Sequence, residues 1–583
     1  MNTILRAGAL TAEWHDGALR HIRYGSHEIL SRIYFAVRDS HWGTLPAELS
    51  NVELDLHDRT FRISCDAEFR QAEIHFRARI SMEGHASGQI GLSVEGAALT
   101  TFLKNRIGFC VLHPAALAGS ACRIEQNRRH WSPGEFPLLV SPHQPFLEIS
   151  AIRHSVADGV EAEVRFSGDV FEMEDQRNWT DASFKIYSTP LRLPFPAEIT
   201  AGTEVRQSVT LSLLPAGLPL PPEPPCAPAA ICVQPGPGVP LPALGTSLGA
   251  ALHKPEGMLV ERLRPLRFAY LRTDIDFRRK HGDRQLAAAA RAAAAARLPL
   301  EVALLLTRDG EEELWTIATA AKNWKVNVVR WLILPVAGKA TSKEWMISAR
   351  RILGGSVPLV AGTGGYFADL NRNRIDAPLA DGFVFSANPQ VHAVDNDNLM
   401  VNASGPSGAV ATARDFGASK TVHVSPITFR PRTTPADPRQ RTPLAALFTL
   451  IHLRSLALSG AASATYYELA GPNGFISEGG EEVFPLWHLF RELAEFSSGE
   501  LLPATSSLVP EVDAVAIRCG LRTRLWLVNW SESEHTAEID AAALGHLKSA
   551  RAGGPVAVPP QSWATLDFEL APPPEDPAAQ EQE

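Results

Sequence analysis

The sequence predicts a multidomain protein with an N-terminal antiparallel β sandwich, a central (β/α)8 TIM-like barrel and a small C-terminal β domain. Three observations support this fold class. The 583 residues exceed what one hydrophobic core normally serves. The first 213 residues alternate apolar and polar side chains with period two. From about residue 266, strand and helix patterns alternate about seven times.

Residues 1–213 are predicted to form the sandwich. Short runs such as VELDLH, AEIHFRARI and GQIGLSVEG are separated by Gly, Asp and Ser, and long helical patterns are missing. Such alternation is typical of antiparallel sheets with one buried face. Residues 214–260 are rich in proline, which blocks helices and central strands, so this stretch is predicted to be a linker.

Residues 261–500 are predicted to form the barrel. RFAYLRTDID, PLEVALLL and VNVVRWLIL have the composition of buried strands, and GDRQLAAAARAAAAARL that of a helix. No GxGxxG follows the first of these strands, which disfavours a dinucleotide-binding open sheet. Residues 501–571 return to short strands, and the Pro-rich tail 572–583 is predicted to be disordered.

The composition limits the possible partners and the compartment. The net charge is -9 and the pI about 6.1, which argues against nucleic acid or an anionic membrane as a partner. None of the six cysteines forms a CxxC pair. The N-terminus does not resemble a secretory signal, and no apolar run approaches a membrane span. We therefore expect a cytoplasmic protein with reduced thiols. The sequence does not indicate an oligomeric state.

Polar side chains cluster where the predicted barrel strands end. Because active sites of parallel barrels lie at the carboxyl ends of the strands, these residues are candidates for the functional site. The set comprises Asp274 and Asp276 after the first predicted strand, Asp369 and Asn371 after the fourth, Asn388, Gln390 and His392 after the fifth, Arg430 after the sixth, and Tyr467 and Glu468 after the seventh. Each alone could instead be a turn, cap or core residue.

Two carboxylates in this set, Asp369 and Glu468, are predicted to face each other across the barrel mouth. Hydrolysis needs such a pair, because an ionised carboxylate activates water while a protonated one protonates the leaving oxygen. Glycosidases on barrels use the same arrangement. Asn388, His392 and Arg430 could bind sugar hydroxyls or a developing oxyanion.

A second polar constellation lies in the stretch FEMEDQRNWTDASFKIYSTPL, residues 171–191, around Trp179. It could be an ion-paired loop that docks the sandwich on the barrel, or a loop that contacts substrate. No Walker loop, GxSxG or HExxH motif is present. We expect no cofactor and no metal, although Asp274, Asp276 and Asp395 could gather around a divalent ion.

The sequence resembles the D-apionate lactonases of bacterial apiose catabolism. The resemblance rests on EDQRNWTDASFKIYSTPL, YFADLNRNR, FSANPQVHAVDNDNL, VSPITFRPR and TYYE. It implies hydrolysis of a five-membered sugar lactone, D-apionolactone, to its open acid. The chain departs from the family pattern at two places. Asp369 stands where the family has Glu, and Leu469–Gly474 stands where the family continues with Thr-Thr-Gly-Trp-Arg-Gly.

These observations together predict a sugar lactonase, a carboxylic ester hydrolase acting on a small sugar lactone. Glu468 and Asp369 are the predicted acid/base pair, with neither role assigned. The predicted substrate contacts are Asp274, Asp276, Asn371, Asn388, Gln390, His392, Arg430, Tyr467 and Trp179. Two alternatives remain open: a glycoside hydrolase using the same carboxylates, and a non-catalytic carbohydrate-binding protein.

Overall fold

The computed structural model describes residues 3–127, 130–219, 228–249, 257–336, 339–540, 544, 546–547 and 554–570. Contacts divide the chain into two units. The first comprises Met1–Arg177 and Ala182–Cys226, and the second comprises Asn178–Asp181 and Ala227–Glu583. The predicted tail 572–583 lies outside the described residues.

The first unit is the predicted β sandwich. Its strands alternate buried and exposed side chains, as in β7, where every second residue from Ile74 to Gly84 is buried. The described strands form one sheet in the order β1-β2-β3-β4-β9-β15-β14, with β16 also paired to β9, and a second in the order β11-β10-β12-β13-β17-β8-β7-β6-β5. Residues of both sheets share one apolar core.

The strands of this unit are β1 (Thr3–Ala7), β2 (Leu10–His15), β3 (Ala18–Tyr24), β4 (His27–Asp39), β5 (Glu48–Leu56), β6 (Phe61–Gln71), β7 (Ile74–His85), β8 (Gln89–Ala98), β9 (Phe102–Pro114), β10 (Ala121–Gln126), β11 (His130–Glu135), β12 (Ile149–Ala157), β13 (Val160–Ser167), β14 (Glu172–Asp175), β15 (Ser183–Tyr187), β16 (Ala197–Ile199) and β17 (Glu204–Leu214).

Two histidines are buried between the aromatic side chains of this core. The ring centroids of His113 and His154 lie 5.6 Å apart, and Phe136 packs against both rings. Neither ring nitrogen of His113 has a hydrogen-bond partner within the described residues. Burial lowers the pKa of both histidines, because the charged imidazolium loses its hydration there.

The second unit contains the predicted barrel, which eight parallel strands of the described chain close. Pairing runs from β20 through β27, and β27 pairs back with β20. The barrel strands are β20 (Ala243–Ser247), β21 (Tyr270–Asp276), β22 (Leu300–Leu306), β23 (Val328–Pro335), β24 (Leu359–Gly362), β25 (Gly382–Ala387), β26 (Thr421–Ile427) and β27 (Ser463–Ala470). A short strand, β28 (Gly474–Ile476), adds to β27.

The helices of the second unit follow the barrel strands. They are α1 (Gly257–Leu263), α2 (Gly282–Ala296), α3 (Gly310–Asn323), α4 (Lys343–Leu353), α5 (Phe367–Arg372), α6 (Asn396–Val401), α7 (Pro406–Phe416), α8 (Pro443–Ser459) and α9 (Pro485–Ala494). None of the helices within the described residues is both long and apolar enough to cross a membrane.

The first barrel strand lies inside the stretch predicted as a linker. Ala243–Ser247 has the sequence ALGTS, follows Pro242 and pairs with strands on both sides, so barrel closure rather than local propensity selects it. The barrel thus begins before residue 261, and each later barrel strand has a number one higher than the sequence predicted. Asp369 follows the fifth strand, and Glu468 lies on the eighth.

The C-terminal β domain also takes strands from that stretch. β18 (Ala229–Val233) buries Ala229, Ile231 and Val233 against the C-terminal core, and β19 (Val239–Pro240) pairs with β29. The other strands are β29 (Glu500–Leu502), β30 (Ala504–Ser506), β31 (Val512–Cys519), β32 (Arg522–Asn529), β33 (His535–Asp540), β34 (His546–Leu547), β35 (Val556–Val558) and β36 (Ser562–Glu569).

The buried histidines predict that the sandwich loses stability in acid. Their pKa values are lowered in the folded state, so the unfolded state binds more protons below about pH 6.5 and stability falls as the pH falls. Replacing His113 by Phe removes one such group. When the pH is lowered from 7.5 to 5.0, the unfolding free energy should fall less in this variant than in the wild type. The difference between the two decreases should be up to about 2 kcal/mol.

Urea unfolding at the two pH values measures this difference. The control is His57→Gln, because the His57 side chain is 66% exposed and its loss should leave the acid sensitivity unchanged. An equal loss of stability in the wild type and in His113→Phe would contradict the account.

Candidate functional site

A β-bulge in the last barrel strand determines which way Glu468 points. Gly245 pairs with Thr465 and Ser247 pairs with Glu468, so two residues of β20 stand opposite three of β27. Gly245 and Ser247 are two residues apart and therefore lie on the same face of the sheet. Their partners Thr465 and Glu468 share that face, although they are three residues apart. Thr465 Oγ1 donates to Glu301 inside the barrel, 3.1 Å away, and this fixes the shared face as the interior. Glu468 therefore points inward.

The bulge is formed by Tyr466 and Tyr467. Tyr467 has a φ of +51°, which is unusual for a residue with a side chain and costs about 1–3 kcal/mol of conformational energy. The hydroxyl groups of both tyrosines bond to helix α8: Tyr466 to His452 Nδ1 at 2.7 Å and Tyr467 to Thr449 Oγ1 at 2.8 Å. Packing against α8 therefore stabilises the conformation that turns Glu468 inward.

The loop after the first barrel strand approaches the Glu468 carboxylate closely. Gly249 has a φ of +51°, and a Cβ built there would lie 2.5 Å from Glu468 Oε2. A side chain at this position would collide with the carboxylate. Glycine therefore meets both a conformational and a steric requirement at the barrel mouth.

Glu468 lies in the electric field of an arginine at the same end of the barrel. Arg432 Nη2 donates to Asp274 Oδ2 at 2.5 Å, and Asp274 Oδ1 accepts from Arg272 Nε at 2.9 Å. Asp274 and the nearby Glu468 both raise the pKa of Arg432. Burial alone would raise the pKa of Asp274, but the two arginines outweigh it and lower the pKa. We call Arg272, Asp274, Arg432 and Glu468 the Glu468 cluster.

Beneath this cluster the barrel interior holds a buried ion network. Glu301 is fully buried and accepts from Arg330 Nε at 2.7 Å and from the hydroxyls of Ser425 and Thr465. Arg272 Nη1 donates to Ser425 Oγ at 2.6 Å and connects the network to Asp274. A buried carboxylate needs such partners, and together they give the mouth a rigid polar floor.

Asp369 lies in α5, after the fifth barrel strand. It is partly buried, and its electrostatic neighbours are Lys339 and Arg372. Burial raises the pKa of Asp369 and outweighs the two cations, which act in the opposite direction. This carboxyl group therefore retains its proton to a higher pH than an exposed aspartate.

Four residues from the sandwich sequence, Asn178–Asp181, belong to the barrel unit. The Trp179 ring packs edge-on to Tyr366 and His392, with centroids 5.6 and 6.1 Å away. Asn388 Nδ2 donates to Tyr366 Oη at 3.2 Å. We call Trp179, Asp181, Tyr366, Asn388 and His392 the Trp179 cluster. Within this cluster, Tyr366 follows the fifth barrel strand, and Asn388 and His392 follow the sixth.

Flanking residues of the same stretch are ion-paired within the first unit. Arg177 Nη2 donates to Asp175 Oδ2 at 2.7 Å, and Lys185 Nζ lies 2.5 Å from Glu174 Oε2. The polar stretch is therefore partly a structural ion-pair network and partly a contributor to the Trp179 cluster.

The acid Asp181 holds His392 in a fixed orientation. One Asp181 carboxylate oxygen bonds His392 Nδ1, and the other accepts from Asn402 Nδ2 at 2.9 Å. Asp181 is buried, whereas the His392 side chain is 20% exposed.

Other predicted residues serve to hold the loops around these clusters. Gln390 donates to Phe429 O at 2.6 Å and Asp437 Oδ2 at 3.0 Å, and its oxygen accepts from Arg439. Arg430 Nε lies 3.9 Å from Asp437, and its side chain is 31% exposed. Asn371 donates to Asn178 and accepts from Arg374, so both the nitrogen and the oxygen of its amide have protein partners.

Two expected substrate contacts are engaged by other protein groups. Tyr467 is buried against α8, because the bulge turns its side chain away from the interior. Asp276 caps a short 3-10 turn and binds Arg278, and those hydrogen bonds lower its pKa. Asp395 caps α6 by accepting from Asn398 N, so the three acids considered for a divalent ion have separate local roles. No group of three potential metal ligands gathers within the described residues.

Four further residues contribute to or support these clusters but are not among those predicted from the sequence: Asp181, Tyr366, Asn402 and Arg432. Asp181 lies 211 positions before its partner His392, so spacing could not connect them. Their only signal was the polar density around Trp179 and the repeated arginine in FRPR.

Comparisons with known proteins agree with this architecture. The family described as D-apionate lactonase matches twice: its N-terminal domain over residues 1–216 and its TIM barrel domain over residues 245–436 and 432–498. A D-apionate lactonase of Brucella anthropi is 28% identical over 582 residues, covering 92% of this chain and 94% of that protein.

Solved structures overlap more loosely. A family 51 α-L-arabinofuranosidase from Bifidobacterium longum is 14% identical with a TM-score of 0.45. A GH30 endoxylanase from Clostridium papyrosolvens is 12% identical with a TM-score of 0.42. Each aligns over 59% of this chain and 100% of its own. Similarity at this level identifies no activity.

The hydroxyl pair behind the bulge can be tested by a double-mutant cycle. Tyr467→Phe and Thr449→Val each remove the same buried hydrogen bond and should each lower the unfolding free energy by about 1 kcal/mol. The double variant should lose less than the sum, because the second substitution removes a group that has already lost its partner. Urea unfolding measures the three values, and strict additivity would contradict the contact.

Proposed function

The chain belongs to the D-apionate lactonase family, and on that premise we propose that it hydrolyses a five-membered sugar lactone such as D-apionolactone. The observation that supports the proposal best is the bulge that turns Glu468 into the barrel mouth. A carboxylate in that position can act on a small substrate bound at the carboxyl ends of the strands.

The proposed reaction adds water across the ring ester. Water attacks the carbonyl carbon, the bond from that carbon to the ring oxygen breaks, and the product is an open hydroxy acid. The reaction needs a base for the proton of water, an acid for the departing ring oxygen, and donors for the negative charge on the carbonyl oxygen.

We assign the base to Glu468. A general base acts as the anion, and Arg432 supplies a positive charge near Glu468. The contact with the Gly249 loop and the polar floor beneath the cluster limit the freedom of this side chain. A positioned base of this kind contributes about 10²–10⁴-fold to a rate.

We assign the acid to Asp369. Burial raises its pKa, which is the direction that a proton donor needs. An aspartate is one methylene shorter than the glutamate of the family pattern. Because positioning errors of about 1 Å cost on the order of a hundredfold in rate, the substrate of this chain should seat closer to α5.

Substrate contacts are assigned to the two clusters. Trp179, Asn388 and His392 contribute an aromatic ring, an amide and an imidazole, while Asp274 and Arg430 line the other side in this proposal. Gln390 and Asn371 instead support the loops. The predicted cytoplasmic location suits an enzyme of small-molecule catabolism and stays a prediction.

The first test of the proposal compares two panels of substrates. Purified protein should release acid from aldonolactones well above the spontaneous rate and leave nitrophenyl glycosides intact. Glu468→Gln should lower kcat by about 10²–10⁴-fold without unfolding the protein, because the amide cannot accept a proton. Glu478→Gln, the same change at an exposed residue, is the control. Turnover of glycosides only would sink the proposal, and full activity of Glu468→Gln would remove Glu468 from the mechanism.

The assigned acid predicts a pH dependence. Asp369 must be protonated to act, so kcat/KM should fall as the pH rises through its raised pKa. Asp369→Asn should lower kcat by about 10²–10⁴-fold and remove that limb of the profile. Steady-state rates from pH 4 to 8, corrected for spontaneous hydrolysis, measure both effects. An unchanged limb in Asp369→Asn would assign it to another group.

A further inference from the structure

We propose that His392, oriented by Asp181, reads a hydroxyl group of the lactone and so gives the site selectivity for hydroxylated substrates. This inference rests on the proposed lactone hydrolysis and adds a determinant of specificity to it. Asp181 acts here as a positioning residue, and His392 contacts the substrate.

The Asp181 carboxylate is immobilised at both oxygens. It accepts from Asn402 on one side and bonds His392 on the other, and Asn402 also donates to Pro389 O at 2.9 Å. The backbone near Asp181 is held as well, because Thr180 Oγ1 donates to Asn388 O at 3.1 Å. Asp181 therefore presents a fixed acceptor to the His392 ring.

This contact sets the tautomer of the histidine. A carboxylate accepts hydrogen bonds and cannot donate them, so the imidazole proton lies on Nδ1. In the neutral ring, Nε2 then carries a lone pair and is an acceptor. An acceptor held in one orientation binds a donor, and a hydroxyl is the donor that a sugar lactone offers.

The second ring nitrogen is open to a ligand. Nε2 of His392 has no hydrogen-bond partner within the described residues, and the side chain is 20% exposed. The Trp179 ring packs edge-on against the imidazole, and Tyr366 packs edge-on against Trp179, so the ring cannot rotate freely. Two hydrogen bonds and an aromatic contact thus fix the orientation of one hydrogen-bond acceptor.

Selectivity follows from the unpaired state of that acceptor. A lactone that brings a hydroxyl to Nε2 supplies a donor for this acceptor, whereas a lactone without one leaves the acceptor facing an apolar ring. Sites that bind a hydroxyl in this way discriminate strongly against analogues that lack it.

The test uses lactones that differ only in hydroxyl groups. The substrates are γ-butyrolactone, its 2-hydroxy and 3-hydroxy derivatives, and erythronolactone, which carries both hydroxyls. Wild-type kcat/KM should be highest for the hydroxylated lactones. His392→Phe should lower kcat/KM for the preferred hydroxylated lactone by about ten- to a hundredfold and for γ-butyrolactone by less than about threefold.

Two isosteric or conservative variants separate this role from a structural one. Asp181→Asn should reduce the selectivity similarly, because its amide donates to Nδ1 and moves the ring proton to Nε2. His392→Gln offers an amide oxygen near the Nε2 position and should restore part of the preference. Both variants remain informative if His392→Phe does not fold.

The outcomes distinguish this inference from the proposed function. Equal losses on all four lactones, or unchanged ratios in both His392→Phe and Asp181→Asn, would overturn the inference and leave lactone hydrolysis standing. A wild-type protein that opens none of the lactones would overturn both.

Discussion

Glu468 points into the barrel because the last strand carries an extra residue, and the arrangement of the mouth depends on that bulge. Without it, the side-chain alternation from Thr465 would turn Glu468 outward. The bulge requires a left-handed backbone at Tyr467, and the two tyrosine hydroxyls bonded to α8 offset its cost. A strained conformation is retained here because the surrounding core over-determines it.

The mouth combines groups that have opposite charges and come from distant parts of the sequence. Arg432 donates to Asp274 and interacts electrostatically with Glu468, so the carboxylate assigned as the base has a positive charge nearby. On the other side, a segment that precedes the barrel by tens of residues carries Asp181 to His392. Both clusters lie in the second unit, and each joins side chains that are far apart in the sequence.

The sequence predicted the fold where local periodicity carries the information. The composition of RFAYLRTDID predicts the buried strand Tyr270–Asp276, whereas Ala243–Ser247 is defined by pairing on both edges and its surroundings predict a linker. The candidate site likewise combines features that a local sequence pattern predicts with features that it does not. The strand-end rule selects Glu468 and His392 as candidates, but a bulge is not visible in the sequence, so the same rule predicts Tyr467 in the mouth, whereas its side chain bonds to α8. Contacts over two hundred residues leave no local pattern.

The most direct test of the account is a crystal structure of the Glu468→Gln variant soaked with a hydroxylated γ-lactone. We expect the lactone at the carboxyl ends of the strands, with its carbonyl carbon within about 4 Å of the side-chain amide at position 468. We also expect a ring hydroxyl in hydrogen-bond distance of His392 Nε2. A lactone bound away from residue 468 in a fully occupied site would contradict the central claim.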